Sequence, residues 1–231
     1  MKIEDLILRI KRRWMKMRLQ PIRVLCFHQV SEAFDESYME PIDWLETDVF
    51  KQRIEGLQQE GYVFISLPEA QEKMKRDRIR CKKYVVLTAD DGWATLRNVL
   101  PWLKEHQIPL TLFLNPTYLD GTHFRNSNEE QYLNITEVEQ IHNHYPLVTI
   151  GSHGWEHVAA TEQTGDEFLE SVNKTTAYLR KMPNYIPFHA YTWGRYSSKT
   201  NSILKEVEIT PVYMDGEKNY NDSYAIHREL L

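Results

Sequence analysis

The stretch Gly151-Ser152-His153-Gly154-Trp155-Glu156-His157 places two imidazoles four residues apart, directly after the apolar run Leu147 to Ile150. Neutral imidazole binds divalent metals and protonated imidazole is a general acid, so the pair can hold an ion or move a proton. If the segment curls through one turn, both rings fall on one face. Asp90-Asp91-Gly92 stands in the same relation to Tyr84–Leu87, the most clearly buried strand of the sequence. Gly92 lets the chain turn sharply there. Adjacent side chains at a strand end point in different directions, so the two carboxylates can hold different jobs. In isolation the triplet is an ordinary turn. One of its carboxylates with His153 and His157 makes a 2-His-1-carboxylate set, which leaves positions open for the water that hydrolysis consumes. His28 follows a third apolar run, Ile22 to Phe27. A lone histidine is usually structural, but one at a strand end beside two other polar strand ends is an acid/base candidate.

These positions matter only if the fold brings them together. Phe50, Ile54 and Leu57 recur at helical spacing until Gly61 stops the pattern. Val63 to Ile65 reads as a short strand, and Ser66 with Glu69 as a capping box. Residues 94–106 then read as a helix, 110–114 as a strand and the polar stretch 120–131 as an excursion loop. Thr136 and Glu139 give a second capping signal. Residues 148–150, 186–188 and 212–214 read as strands, and 166–179 and 198–205 as helices. This alternation predicts an α/β domain with a mostly parallel sheet. In such sheets, polar residues at the C-terminal strand ends mark the active site.

The chain has 231 residues, 42% hydrophobic and 26% charged, as a soluble globular protein of one large domain has. Its net charge of -5 argues against nucleic acid as a partner. Residues 1–23 hold eight Lys/Arg against two acids, so this end carries +6 and the remainder -11. Ile3, Leu6, Ile7, Ile10, Trp14 and Met17 recur there at roughly helical spacing. Residues 1–18 therefore read as a basic amphipathic helix, either peripheral on an anionic membrane or packed on the body of the protein. The domain organisation expected is this helix over residues 1–20 and a single domain over 21–231. No apolar stretch approaches membrane-spanning length and no signal-peptide pattern opens the chain, so the expected location is the cytoplasm. Cys26 and Cys81, each beside an apolar run, read as free buried thiols. Six Trp, thirteen Tyr and eight Phe serve core packing or wall a cleft for a flat ligand.

Thr88-Ala89-Asp90-Asp91-Gly92 followed by His153-Gly154-Trp155-Glu156-His157 resembles the paired motifs of the polysaccharide deacetylase family, carbohydrate esterases sharing the NodB homology domain. The resemblance runs from about Val24 to Ile226. It implies a distorted, incomplete (β/α)7-type barrel with its site at the strand C-termini. It implies Asp90 as general base, and Asp91, His153 and His157 as ligands of one divalent ion, zinc first, with cobalt, nickel or iron also accommodated. Phe27-His28 resembles the Tyr-His pair of the branch acting on poly-N-acetylglucosamine, which gives His28 the role of general acid. Ala190-Tyr191-Thr192-Trp193-Gly194-Arg195-Tyr196 resembles that branch's third motif, which lacks the arginine that orients the base elsewhere in the family. Tyr191, Trp193 and Tyr196 are candidate walls for a sugar ring, or packing residues. Trp155 is placed to shape the metal site, Asp43 and Trp44 to rim the cleft, and Glu156 to support the site or face solvent. Two departures stand out. Ala89 replaces the motif's Phe, and Gly154 replaces a Ser or Thr whose hydroxyl can buttress the histidine loop.

The activity implied is metal-dependent removal of N-acetyl groups from amino sugars in a glycan or glycolipid. The alternatives are hydrolysis of a non-sugar amide on the same fold, and a catalytically inactive carbohydrate-binding protein. The basic N-terminus would suit a lipid-linked substrate by holding the enzyme near anionic headgroups.

Overall fold

The computed structural model describes residues 5, 20–36, 39–76, 82–120 and 131–231 of the chain. Strands β1 (Ile22–Phe27), β2 (Gln29–Ser31), β3 (Trp44–Glu46), β4 (Tyr62–Phe64), β5 (Lys83–Asp90), β6 (Leu110–Leu114), β7 (Val148–Ser152), β8 (Tyr185–Ala190), β9 (Thr210–Met214) and β10 (Ile226–Leu230) alternate with helices. These are α1 (Thr47–Gln59), α2 (Leu67–Arg76), α3 (Leu100–Glu105), α4 (Ile135–His144), α5 (Gly165–Leu179) and α6 (Ser198–Glu206). The strand order β1-β10-β9-β8-β7-β6-β5 closes on itself because β1 also pairs β5, from Ile22 opposite Tyr84 to Phe27 opposite Ala89. All these pairings are parallel. The expected seven-stranded (β/α) barrel is thus present. The other edge of β5 is shared: β4 takes its first half and β6 its second.

The period of two along each strand divides the core. Ile22, Val24, Val86, Phe188, Ala190, Val212 and Ile226 fill the barrel lumen, with Phe113. Leu25, Phe27, Val85, Leu87, Leu110, Leu112, Val148 and Ile150 face the helix layer, where Phe50 and Ile54 of α1 and Leu103 of α3 meet them. Strands covered on both faces read as continuous apolar runs, which is why they stand out in the sequence. Leu67, Ala70 and Met74 of α2 join the lumen cluster, and Gln71 reaches Thr210 at the start of β9, so α2 caps the lumen at the strand N-termini. The opposite mouth is left to polar residues.

Several local expectations are corrected. The helix read over 94–106 is split into a 3-10 segment, Ala94–Asn98, and α3, because Pro101 lacks an N–H and starts a new helix at its own first turn. The cap of α4 is Asn134 with Glu137, two residues before the pair read from sequence. Thr164 and Glu167 form a capping box on α5. β10, a fifth of which is arginine, was not apparent from the pattern at all. Cys26 is buried and free, and burial pushes its thiol well up, out of reactive range. Cys81, the excursion 121–130 and, Asp5 apart, the basic segment 1–18 lie outside the described residues. Among the described residues no helix is long and apolar enough to cross a membrane.

The approach of β7 to its neighbours sets up the histidine loop and gives a direct test. A Cβ added at Gly151 would lie 2.5 Å from the Phe113 ring and 3.0 Å from the Phe188 carbonyl oxygen. Gly151→Ala is expected to lose about 1–3 kcal/mol by overpacking, read as a lower urea midpoint at unchanged m-value.

Candidate active site

The polar residues singled out in the sequence meet at the mouth of the barrel. Asp90 ends β5, Ser152 ends β7 just before His153, and Phe27 ends β1 just before His28. They line a cleft of about 490 Å³ together with Asp43, Trp93, Tyr118, Tyr132 and Trp193. Side chains from distant parts of the sequence therefore converge because parallel strands all present their C-terminal ends on one side.

Asp91 is the junction of the site. Its backbone is left-handed at φ 69, and the Gly92 N–H donates to the Asp90 carbonyl, so the chain makes a three-residue turn of a rare, strained kind. The turn separates the two carboxylates. Asp91 Oδ1 lies 3.4 Å from His153 Nε2 and 3.2 Å from His157 Nε2, while Oδ2 accepts a hydrogen bond from the Trp93 indole at 3.1 Å. Oδ1 is buried and has no hydrogen-bond partner of its own. An orphaned carboxylate oxygen flanked by two ring nitrogens is the arrangement a divalent cation satisfies, and the three ligand atoms lie within 4.8 Å of one another. His153 Nδ1 is 2.8 Å from the Ala190 carbonyl, which holds the proton on Nδ1 and leaves the Nε2 lone pair facing Asp91. Burial pushes the His153 pKa down despite the nearby carboxylates, so the ring stays in its neutral, ligating form. Burial alone would raise the Asp91 pKa, but His157 and His153 outweigh it and keep the carboxyl ionised.

The histidine loop is not a helical turn. It is an irregular bend, with Gly154 at φ +90, where an added Cβ would sit 3.0 Å from the Glu156 carbonyl oxygen. The backbone conformation therefore requires glycine. The hydroxyl that Gly154 lacks is replaced from three sides. Asn115 Nδ2 donates to the His153 and Gly154 carbonyls, Thr192 Oγ1 donates to the His153 carbonyl, and the Gly154 N–H donates to Ser152 Oγ. Ser152 Oγ in turn meets Nδ1 of His189, whose pKa burial drives down to about 3.

Asp90 is held by a residue that sequence reasoning missed. Arg228, on β10, donates from its two terminal nitrogens to Oδ1 and Oδ2 of Asp90 at 2.7 and 2.8 Å. It also donates to Thr88 Oγ1. The arginine absent from the third motif is thus supplied from the last strand, with only 1% of its surface exposed. Burial alone would raise the Asp90 pKa, but Arg228 and then the histidines overcome it and hold the carboxyl well below the usual range. His28 stands across from this pair, with Nε2 4.0 Å from Asp90 Oδ2 and Nδ1 3.5 Å from Asp43 Oδ1.

The aromatic candidates divide. Trp193 is 65% exposed at the cleft, left-handed at φ 58, with its ring edge-on to His157 at 4.8 Å. Tyr191 borders the cleft but is 1% exposed: its hydroxyl donates to Asn201, and its ring stacks with Phe168 and Tyr213. Tyr196 stacks on Tyr191 and Tyr213 and is not part of the cleft lining. Trp155 points away from the site, against Tyr178, with Lys174 Nζ 4.0 Å from its ring centre. Glu156 faces solvent, Asp43 rims the cleft, and Trp44 turns aside to Ser31. A second aromatic wall went unread: Trp93, Tyr132 and Tyr118 stack in sequence at 4.4 Å spacings. Trp93 was in plain view after Asp-Asp-Gly. The two tyrosines flank the excursion loop, and only the fold brings them together.

With this geometry in hand, comparison with known proteins is direct. Residues 77–212 match the family model described as polysaccharide deacetylase, and the chain belongs to that family. No curated protein matches it. Among solved structures, the Streptococcus pyogenes deacetylase PplD in complex with acetate superposes with a TM-score of 0.77 at 21% identity, over 92% of this chain and 93% of that one. IcaB from Ammonifex degensii gives 0.76 at 21%, over 93% of each chain. A de-N-acetylase from Aggregatibacter actinomycetemcomitans gives 0.77 at 16%, over 92% of this chain and 95% of that one. At these identities the likeness is one of fold.

The buried ion pair predicts non-additive energetics. Arg228→Met leaves Asp90 buried without its counter-charge and is expected to cost about 3–5 kcal/mol. The double variant with Asp90→Asn should lose less than the sum of the two single changes in denaturant titrations. Because folding depresses the Asp90 pKa, the stabilisation is complete above the ordinary carboxylate range, about pH 4, and fades as pH falls below it. The gap between wild type and Arg228→Met should narrow accordingly in acid.

Proposed function

We propose that the protein is a metal-dependent hydrolase that removes N-acetyl groups from amino sugars of a glycan. The observation that carries this reading is the convergence of Asp91 Oδ1 with His153 and His157 Nε2, beside an arginine-held Asp90 and across from His28. Membership of the polysaccharide deacetylase family supports it, as does the acetate held by a protein of the same fold.

Asp91, His153 and His157 would hold one divalent ion, with zinc suited to a site of two imidazoles and a carboxylate. Such an ion, when bound, supplies Lewis acidity toward the acetamide carbonyl and acidifies water. The chain's own residues do the rest. Asp90 is the general base: Arg228 fixes both oxygens in place and keeps the carboxylate ionised, and Oδ2 faces the cleft toward His28. It takes a proton from the attacking water as the water oxygen bonds to the acetyl carbon. His28, whose Nδ1 lies 3.5 Å from Asp43 Oδ1, is the general acid and gives a proton to the sugar nitrogen as the C–N bond breaks. Acetate and a free amine leave, with one water consumed. A proton donor to the sugar nitrogen spares the reaction a free amide anion as leaving group. Trp193, 65% exposed at the cleft, offers a flat apolar face to a sugar ring.

Acetate release from N-acetylglucosamine oligomers by chelator-treated and re-metallated protein tests the reading. Metal should restore release, and Asp90→Asn and His28→Ala should each abolish it. Sugar binding with no release under any metal would instead favour an inactive binding protein. Release from small non-sugar amides alone would favour a different amide hydrolase. Trp93→Phe removes the hydrogen bond that aims Asp91 and should weaken metal binding by about 10- to 100-fold in a competitive chelator titration.

A further inference from the structure

The two imidazoles that face Asp91 are held by different means. His153 is locked by the Ala190 carbonyl, 2.8 Å from its Nδ1. Among the described residues none forms a hydrogen bond with Nδ1 of His157, and apart from Asp91 its neighbours are rings. The Trp193 ring is edge-on at 4.8 Å between centroids, the His153 ring lies at 5.3 Å and the Tyr118 ring at 6.0 Å. A ligating histidine is ordinarily oriented by a hydrogen bond to its second nitrogen. Within this protein the His157 ring is instead fixed by ring contacts, and the edge-on one from Trp193 is the closest. Its geometry is the one aromatic pairs prefer.

Trp193 makes that contact from a backbone position that does not suit it. The turn 192–195 is closed by the Arg195 N–H, which donates to the Thr192 carbonyl at 3.2 Å. Both central residues are left-handed, Trp193 at φ 58 and Gly194 at φ 63. Such turns ordinarily carry Gly, Asn or Asp, because a bulky side chain is strained there. Burial does not compensate: Trp193 is 65% exposed, and among the described residues its one ring contact is with His157. The turn is also pinned to the histidine loop, since Thr192 Oγ1 donates to the His153 carbonyl at 2.9 Å. A strained backbone persists only where its surroundings impose it, and such outliers cluster at functional sites.

We propose that Trp193 is a positioning residue for His157. Its indole holds the imidazole in the orientation that aims Nε2 at the ion, and the left-handed turn is retained for that contact. The inference rests on the reading of Asp91, His153 and His157 as the ligand set of a metal-dependent hydrolase. It is separate from the face that Trp193 offers to a sugar. A sugar wall acts only when substrate is bound, whereas a positioning residue acts on the metal in its absence.

Competitive chelator titrations with zinc, run without sugar, should compare wild type, Trp193→Gly and Trp193→Tyr, with urea unfolding of each metal-free protein alongside. Glycine accepts the left-handed turn and removes the indole. Trp193→Gly should therefore keep or raise the urea midpoint while weakening zinc binding about tenfold. Trp193→Tyr keeps a ring in the same turn and should bind zinc within about threefold of wild type. A lowered midpoint in Trp193→Gly would overturn the inference, because the weaker metal binding would then reflect general loosening. Equal zinc affinity in wild type and Trp193→Gly would also overturn it and leave the hydrolase reading standing. Trp193 would then be a sugar wall alone, and binding of an N-acetylglucosamine tetramer would fall without any change in zinc affinity. Failure of the wild type itself to bind a divalent ion would instead sink the ligand set on which both readings rest.

Discussion

The Asp90–Arg228 pair is the constraint around which the mouth of the barrel is arranged. A guanidinium with 1% of its surface exposed is tolerable only if its charge is answered, and Asp90 answers it with both oxygens. That bidentate contact ties β10 to β5 across the lumen, although the two strands are not neighbours in the ring. It also determines how Asp90 can act. A carboxylate gripped in this way is fixed in direction and stays ionised. The division of labour between two adjacent aspartates then follows. Asp90 is held by a permanent cation, and the strained turn at Asp91 swings the second carboxylate toward the imidazoles.

The histidine loop shows the same economy by a different means. Its backbone carbonyls at His153 and Gly154 would be costly to bury unpaired, and Asn115 and Thr192 satisfy them from two flanking strand ends. Those bonds set the loop, and the Ala190 carbonyl sets the ring of His153 within it. The substitution of glycine within the second motif is therefore compatible with a rigid site. The positive φ excludes other residues, and neighbours provide the buttress that a local hydroxyl would have given.

Around this rigid centre the cleft walls differ in character. One side is a run of stacked rings, the other a rim with Glu40, Ile42 and Asp43 on the segment between β2 and β3.

The sequence by itself determined a mostly parallel α/β domain, its resemblance to the family implied the barrel, and its strand ends marked the candidate site residues. Strands buried on both faces must be apolar throughout, so β1, β5, β6 and β7 announce themselves, and a polar residue at the end of such a run is conspicuous. His28, Asp90, Asp91, His153 and His157 were all legible for that reason. What the tertiary structure alone decided are the partners of those groups. Arg228 sits in Ile-His-Arg-Glu-Leu, a string with no apolar run, whose alternation makes sense only once Arg228 is seen to point into the lumen. Tyr118 and Tyr132 stack from the two sides of segment 121–130, and Tyr191 and Tyr196 stack with Phe168 and Tyr213 in a group of four rings. Local pattern reports burial, which is a property of each residue in its element. Pairing across the lumen depends on strand register and closure of the ring, and no local stretch of sequence contains that.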